Sequence, residues 1–118
     1  MTAGAQDDCL FCKIVAGAIP AEVVLETGQS LAFRDVNPQA PTHVLVIPKV
    51  HQPNVAALGR HEPAALADLM ETVGAVADSE GLEGHYRLVF NTGENVGQSV
   101  FHVHGHVLGG RPMGWPPG

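Results

Sequence analysis

Three of the seven histidines in this chain stand at alternate positions, His102, His104 and His106. A β-strand repeats its side-chain direction every two residues, so a strand here predicts all three imidazoles on one face. An imidazole brings nitrogens that need partners once they are buried, and its own charge appears near neutral pH, so three in a row favour a functional site over a purely structural strand. A solvated strand face or a fortuitous histidine-rich patch is the alternative. The apolar residues that would face the core are Phe101, Val103 and Val107.

Two kinds of chemistry fit histidines with this spacing. Alternate residues on a strand lie about 6.6 Å apart, so two imidazoles can reach one metal ion or one phosphate group. In one mechanism the histidines are zinc ligands and the metal activates water. In the other, a neutral imidazole attacks phosphorus while a second histidine holds charge or donates a proton.

The residues before the histidines favour the phosphate chemistry. Gly97, Gln98 and Ser99 combine a flexible backbone with a hydroxyl, and together these groups can cradle an oxyanion. A plain turn is the alternative. Few carboxylates lie near the histidines in the sequence, which weakens the case for a catalytic metal without excluding it.

The two cysteines, Cys9 and Cys12, form a Cys-x-x-Cys pair. In a reducing compartment this spacing indicates a metal half-site or a redox pair rather than a structural disulfide. Two free thiols at the start of a helix are the alternative. His61 and His85 match no motif, and we expect both at the surface.

The first half of the chain contains the signals for one helix and three strands. Apolar spacing predicts a short helix over residues 9–18, and a turn at residues 27–29 predicts a hairpin of strands 23–26 and 31–35. The densest run of β-forming residues, 43–47, predicts a central strand that ends at Pro48.

The second half predicts one long helix and two strands. Residues 62–81 have apolar side chains at three- and four-residue intervals and a proline in the first turn. A strand over residues 86–91 and the histidine strand follow. The order predicts an α+β domain, with an antiparallel sheet of about five strands, one long and one short helix, and the helices on one face.

Composition limits the functional classes. A length of 118 residues predicts a single domain over residues 9–118, after a disordered lead-in over residues 1–8. The net charge of −6 disfavours nucleic-acid binding. No apolar run is long enough to cross a bilayer and no signal peptide is evident, so we expect a cytoplasmic protein without membrane contact.

The segment 98–108 resembles the signature of the histidine triad (HIT) family, His-x-His-x-His followed by two apolar residues. Segments 31–35, 38–49 and 109–118, the last ending in Trp-Pro-Pro-Gly, resemble the Hint branch of that family, the purine nucleoside phosphoramidases. The similarity extends from about Cys9 to Gly118, and it implies a HIT-like fold and hydrolysis of nucleoside 5′-phosphoramidates.

The resemblance implies a role for each matching residue. His104 would be the nucleophile that forms a covalent nucleotidyl-histidine. His106 would contact the phosphate, while His43 and His102 would position or polarise the imidazoles. Ser99 would assist the departing amine. The residues implied to surround the nucleotide, in addition to His104 and His106, are Asp35, Val36, Asn91, Gly97, Gln98 and Ser99.

The same resemblance implies a structural zinc and a homodimer, with no organic cofactor. The zinc ligands would be Cys9, Cys12, His51 and His102, a closed set of two sulfurs and two nitrogens. In the dimer, long helices and central strands would pair, and each C-terminal tail would reach toward the partner's site.

Two positions depart from the Hint pattern. Gly105 stands where a larger apolar residue is usual, so we expect altered packing with the histidine face intact. Gly114 stands where relatives carry a histidine. The competing functions are a dinucleoside polyphosphate hydrolase, which the Trp-Pro-Pro-Gly ending disfavours, a nucleotide-binding or scaffold protein with incidental hydrolysis, and a metal-dependent hydrolase.

Overall fold

A computed structural model describes residues 8–118 of the chain. The expected lead-in over residues 1–8 falls outside the described residues except for Asp8, which is exposed. The helices and strands in chain order are α1 Leu10–Val15, β1 Val23–Glu26, β2 Ser30–Arg34, β3 Thr42–Pro48, α2 Val55–His61, α3 Pro63–Ser79, β4 Tyr86–Val89 and β5 Gly105–Gly109.

The five strands form one antiparallel sheet in the order β1-β2-β3-β5-β4, which confirms the predicted α+β fold class. β3 is the central strand, as predicted, and all seven of its residues are buried. A strand buried on both faces needs apolar residues at nearly every position, which explains its unbroken run of β-forming residues.

The two faces of the sheet carry different helices. The long helix α3 covers one face, where its Leu69, Val73 and Val76 pack with Val44 and Val46 of β3. The opposite face packs against α1, whose Phe11 joins a separate apolar cluster. The expectation that the helices lie on one face is therefore wrong, because the odd and even positions of β2 and β3 are both apolar and each face needs a cover.

Local signals set the bounds of the helices. α3 has Pro63 in its first turn, and Gly81 follows its end with a φ of +71°, the left-handed geometry of a Schellman cap. The unpredicted helix α2 is capped by Asn54, whose side-chain oxygen accepts the Ala57 N–H at 2.9 Å. Among the described helices, none combines the length and apolarity that crossing a bilayer requires.

The predicted histidine strand is shorter than expected, because β5 begins only at Gly105. Pairing with β3 starts at Val46 opposite Gly105, and continuing that register would place Pro48, which has no N–H, opposite Val103. The Val103 N–H instead donates to the Gln52 carbonyl at 2.8 Å. The segment before β5 is thus held by the loop after β3 and not by the sheet.

The alternation of side chains is nevertheless partly kept in this segment. Val103 and Val107 are buried in the cluster under α3, as predicted. Phe101 is 52% exposed, so its predicted place in the core is wrong. The backbone around Phe101 is irregular, and strand periodicity does not apply there.

Gly105 is buried because neighbouring side chains occupy the space that a larger residue would fill. A Cβ atom at this position would lie 3.0 Å from Leu88 Cδ1 and 3.0 Å from Phe90 Cζ. Both neighbours pack against the apolar cluster between α3 and the sheet, on the face opposite α1. Leu88 and Phe90 therefore fill the core space that a larger side chain at position 105 would take.

We expect Gly105→Leu to lower the free energy of unfolding by about 1–3 kcal/mol through overpacking. Phe90→Val should relieve the clash, so the double variant should be more stable than Gly105→Leu alone. Urea denaturation of the wild type, both single variants and the double variant measures this coupling. A double variant no more stable than Gly105→Leu would show that Phe90 does not occupy the space.

Candidate active site and metal cluster

A pocket of about 360 Å³ opens on the α1 side of the sheet. This volume lies in the range of about 300–1,000 Å³ typical of small-molecule sites. Its apolar walls include Phe11, Phe33 and Leu45, whereas its polar groups include His104 and His106. The pocket therefore combines an apolar cavity with a few converging polar side chains.

The proton position on His104 is fixed by the backbone. Its Nδ1 lies 2.9 Å from the carbonyl oxygen of His102, and a carbonyl can only accept, so Nδ1 carries the proton. The other nitrogen, Nε2, then holds the lone pair. Burial lowers the pKa of His104, which keeps this ring neutral near pH 7. The geometry matches the requirement for a nucleophilic imidazole.

His43 donates a hydrogen bond to His106, and a backbone contact sets this direction. The Gln39 backbone N–H donates to His43 Nδ1 at 3.0 Å, so the His43 proton is on Nε2. His43 Nε2 lies 2.9 Å from His106 Nδ1 and donates to it. The proton of His106 is therefore on Nε2, which is buried and, within the described chain, has no hydrogen-bond partner.

An unpartnered buried N–H at a pocket wall is suited to an oxygen of a ligand. Burial, which is the largest cause, acts together with the neighbouring His104 and His43 to lower the pKa of His106 to about 4, so the ring stays neutral near pH 7. The rings of His104 and His106 have their centroids 5.0 Å apart. Of these two neighbouring rings that line the pocket, His104 thus carries a lone pair and His106 a proton donor.

Asp35, His43 and His106 place ligand-type atoms within 4.8 Å of one another, but their protons do not suit a metal. His43 Nε2 carries its proton toward His106, and the Asp35 carboxylate lies 3.5 Å from that nitrogen. A metal would need a lone pair at this position. His43 and His106 form a hydrogen-bonded relay with the Asp35 carboxylate beside it, which disfavours a metal-dependent use of these histidines.

A second cluster lies at the start of α1, and it brings together all four residues that the family resemblance implies as zinc ligands. The ligand atoms of Cys9, Cys12, His51 and His102 lie within 4.8 Å of one another. His102 Nδ1 is 3.5 Å from each sulfur, and His51 Nδ1 is 3.4 Å from the Cys12 sulfur.

The His102 ring is oriented for metal binding. Its Nε2 donates to the Pro48 carbonyl at 2.8 Å, so Nδ1 has its lone pair free and directed at the sulfurs. Burial lowers the pKa of His102 to about 4 and that of His51 below its usual value, so both rings are neutral. Two thiols with two neutral imidazoles are a donor set that zinc prefers.

The loop before the histidines is fixed by Gln98, which is buried. Its side-chain oxygen accepts the Gly93 N–H at 2.8 Å, and its amide group donates to the Pro53 carbonyl at 2.6 Å. Gly97, at a φ of +102°, and Ser99 line the pocket. Gln98 does not line the pocket, so any effect it has on a nucleotide is exerted through the loop.

Of the other residues expected around a nucleotide, some line the pocket and one does not. Asp35 and Val36 line the pocket, and Val36 is fully exposed at its rim. The Asp35 carboxylate also accepts the Asn37 N–H at 2.8 Å, which holds its loop. Asn91 does not line the pocket. His61 and His85 are exposed, as predicted.

Sequence reasoning missed the apolar wall of the pocket. Phe11 lies between the two cysteines in the sequence, and its ring centroid is 5.0 Å from that of His104. Leu10, Ile14 and Val100 complete the wall. The signal in the sequence was the position of Phe11 between Cys9 and Cys12. A residue between two cysteines that contact His102 lies close to the histidine segment.

The fold and these histidines define a known class of protein. The HIT domain family model matches residues 16–113, and the chain belongs to this family.

Curated relatives support the same family. An uncharacterized HIT-like protein from Synechocystis is 49% identical over 112 residues, covering 95% of this chain and 98% of the relative. A 14 kDa zinc-binding protein from Zea mays is also 49% identical over 112 residues, covering 92% of this chain and 87% of the relative.

Solved structures agree with these relatives. A HIT family hydrolase from Legionella pneumophila has a TM-score of 0.89 and 50% identity, covering 94% of this chain and all of that one. Another from Clostridium thermocellum has a TM-score of 0.88 and 41% identity, covering 92% and 96% of the two chains. The chain shares the fold of HIT family hydrolases.

We expect nuclear magnetic resonance of the full chain to find His106 protonated on Nε2 at pH 7, with a pKa of about 4. In the urea-unfolded chain the same ring should titrate near 6.5. Because the unfolded state binds the proton more tightly, the free energy of unfolding should fall as the pH falls from about 6.5 to about 4.

The His43→Phe variant is the matched control for this titration. It removes the donor to His106 Nδ1, so both neutral forms of His106 should be populated in the variant. A wild-type His106 that carries its proton on Nδ1 would contradict the relay.

Proposed function

We propose that the protein hydrolyses the P–N bond of purine nucleoside 5′-phosphoramidates through a covalent nucleotidyl-His104 intermediate. The observation that carries this proposal is the buried, unpartnered Nε2–H of His106 beside the free Nε2 lone pair of His104. A phosphoryl group satisfies both at once, because its phosphorus accepts the lone pair and its oxygen accepts the hydrogen bond. Membership in the HIT family and the Hint-like tail support the same substrate class.

In the first half-reaction, the His104 Nε2 lone pair attacks phosphorus and a P–N bond to the imidazole forms. The substrate's P–N bond breaks, and the amine leaves with that electron pair. The amine gains a proton from solvent by way of the Ser99 hydroxyl, which is exposed at the pocket rim. The His106 N–H donates to a phosphoryl oxygen throughout and stabilises its charge.

In the second half-reaction, water attacks phosphorus, loses a proton, and releases the nucleoside monophosphate. The bond between phosphorus and His104 breaks, and the electron pair returns to Nε2. Imidazole suits both steps because it is a good nucleophile and a good leaving group near neutral pH. The relay through His43 keeps the His106 proton directed at the phosphate in both steps.

We assign the nucleoside to the apolar part of the pocket. Phe11, Phe33 and Leu45 offer ring faces and aliphatic surface for a base, and Val36 covers the rim. The Asp35 carboxylate lines the same pocket and lies 3.5 Å from His43 Nε2, where ribose hydroxyls can donate to it. Among the described residues that line the pocket, Arg34 is the only arginine or lysine, and its guanidinium is bound to Glu80 and Glu22.

The function is tested with adenosine 5′-phosphoramidate of an aromatic amine. Wild-type protein should release AMP, and its intact mass after a non-acidic quench should include a species one adenylyl group heavier. His104→Ala should lose about 10⁴-fold or more in turnover and show no adduct, because the nucleophile is gone.

The exposed His61 provides the matched control, and His61→Ala should keep full turnover. Full turnover by His104→Ala would overturn the nucleophile. Wild-type protein that binds AMP without hydrolysing the phosphoramidate would favour the nucleotide-binding or scaffold function, and preferential cleavage of diadenosine polyphosphates would favour the dinucleoside polyphosphate hydrolase.

We also propose that Cys9, Cys12, His51 and His102 hold a structural zinc ion. Their ligand atoms converge and the His102 lone pair faces the sulfurs, as described above. The zinc-binding protein from Zea mays supports the assignment. Bound zinc would be chemically separate from the reaction, since a closed four-ligand set leaves no position for water.

Zinc content should be about one ion per wild-type chain purified under reducing conditions, and it should be lost in Cys9→Ser. At free zinc about 1,000 times Kd, the lost ion would cost about 4 kcal/mol of stability. Elemental analysis and thermal unfolding measure both effects, with His61→Ala as a histidine control outside the cluster. Equal zinc in Cys9→Ser and wild type would remove the site.

A homodimer in the cytoplasm completes the proposal. β4 lies at the edge of the sheet, Tyr86 and Met70 are exposed, and Trp115 of the tail is 83% exposed, all of which suit a partner copy. Cys9 and Cys12 are thiols and not a disulfide, which is the form that a reducing compartment maintains. A mass by light scattering close to the 12.4 kDa of one chain would contradict the dimer.

A further inference from the structure

The short helix α1 belongs to two sites at once. Its cap residue Cys9 and its Cys12 supply the sulfurs of the cluster, whereas Leu10, Phe11 and Ile14 line the pocket. A helix of six residues is too short to be stable alone in water. The pocket wall therefore depends on whatever holds α1 against the sheet.

Side chains and not the backbone hold α1 in place. Within the described chain, the backbone hydrogen bonds that begin or end between residues 9 and 19 all stay inside that segment. The attachments among the described residues include the contacts of Cys9 and Cys12 with His51 and His102, and apolar packing around Phe11. A metal ion bound by the cysteines and histidines would link α1 to the rest of the domain, which the backbone hydrogen bonds of residues 9–19 do not do.

Phe11 connects the cluster to the nucleophile. The side chain is 5% exposed, and its ring meets His104 edge to face, with centroids 5.0 Å apart and planes at 86°. The same ring lies 6.0 Å from His102 and 5.6 Å from Phe33. Any displacement of α1 moves a side chain that touches the nucleophile, a cluster histidine and the pocket wall.

His102 provides a second connection between the two sites. Its ring faces the sulfurs, while its carbonyl oxygen accepts the Nδ1 proton of His104 at 2.9 Å. One residue thus joins the cluster to the group that fixes the proton of the nucleophile. Both connections are short and pass through buried groups.

We propose that zinc in the Cys9–Cys12–His51–His102 cluster and a nucleotide in the pocket bind cooperatively, because each stabilises the same docked position of α1. Phe11 is the positioning residue that transmits the effect. This inference rests on the proposed nucleotide-binding function. Linkage requires reciprocity, so zinc must raise nucleotide affinity by the same factor by which nucleotide raises zinc affinity.

Calorimetric titration of the full chain with AMP tests the proposal. Chelator-stripped protein should bind AMP about 10-fold more weakly than zinc-loaded protein, within the usual range of coupling between two sites. Competition with a chromogenic chelator should show zinc held tighter by the same factor at saturating AMP. Equal AMP affinities in the two states would overturn the coupling alone, and absence of AMP binding in both would overturn the nucleotide function as well.

Two variants separate the coupling from general loss of structure. Phe11→Leu keeps all four cluster residues, and its coupling factor should fall toward one while zinc and AMP still bind. Val36→Ala is the matched control, since Val36 lines the same pocket from the loop after β2. Val36→Ala should weaken AMP binding by the same factor with and without zinc. A changed coupling factor in this variant would contradict transmission through α1.

Hydrogen exchange gives a readout that does not depend on AMP. Stripping zinc should reduce the protection of amides in α1 and leave those of α3 unchanged, since α3 packs on the other face. Unchanged protection in α1 would show that the helix stays docked without the metal, and would overturn the proposal.

Discussion

A backbone N–H can only donate a hydrogen bond and a backbone carbonyl can only accept one, and this restriction places the protons of the site. The Gln39 N–H makes His43 Nδ1 an acceptor, and the His102 carbonyl makes His104 Nδ1 a donor. The Pro48 carbonyl does the same for His102 Nε2. These three contacts fix the proton positions of four imidazoles, because the proton on His43 Nε2 in turn determines which nitrogen of His106 is protonated. As a result, His104 carries a lone pair and His106 an N–H among the residues that line the pocket, and the lone pair of His102 faces the cysteines.

Burial supports this arrangement by keeping the rings neutral. Desolvation lowers the pKa of His43, His102, His104 and His106, so near pH 7 none of them gains the second proton that would abolish its lone pair. The unpartnered N–H of His106 costs about 1–3 kcal/mol while it stays buried, and a phosphoryl oxygen that accepts it removes this cost. Neutral donors can thus recognise phosphate on a chain whose net charge is −6.

The sequence predicts the parts of this molecule that depend on local pattern. The apolar run 43–47 identifies the buried central strand, and the intervals in residues 62–81 identify α3. The irregular segment before Gly105 was not predictable from alternation, because a proline at the end of β3 and a hydrogen bond from Val103 to the loop decide it. Period-two spacing also cannot show that the His102 ring turns toward cysteines some 90 residues away, since the fold makes that contact. The position of Phe11 and the protons of the histidines likewise depend on tertiary contacts.

The HIT domain match covers the pocket histidines but not the cysteines of the metal cluster. It begins at residue 16 and ends at residue 113, so it contains His43, His104 and His106 but neither Cys9 nor Cys12. The groups that we propose to form and break bonds to phosphorus therefore lie entirely inside the shared domain. The sulfurs of the cysteine pair lie 3.5 Å from His102 Nδ1, and neither cysteine lines the pocket. The contribution that we propose for the pair is geometric, because a zinc ion bound there would hold α1 against the sheet and keep the Phe11 ring beside His104.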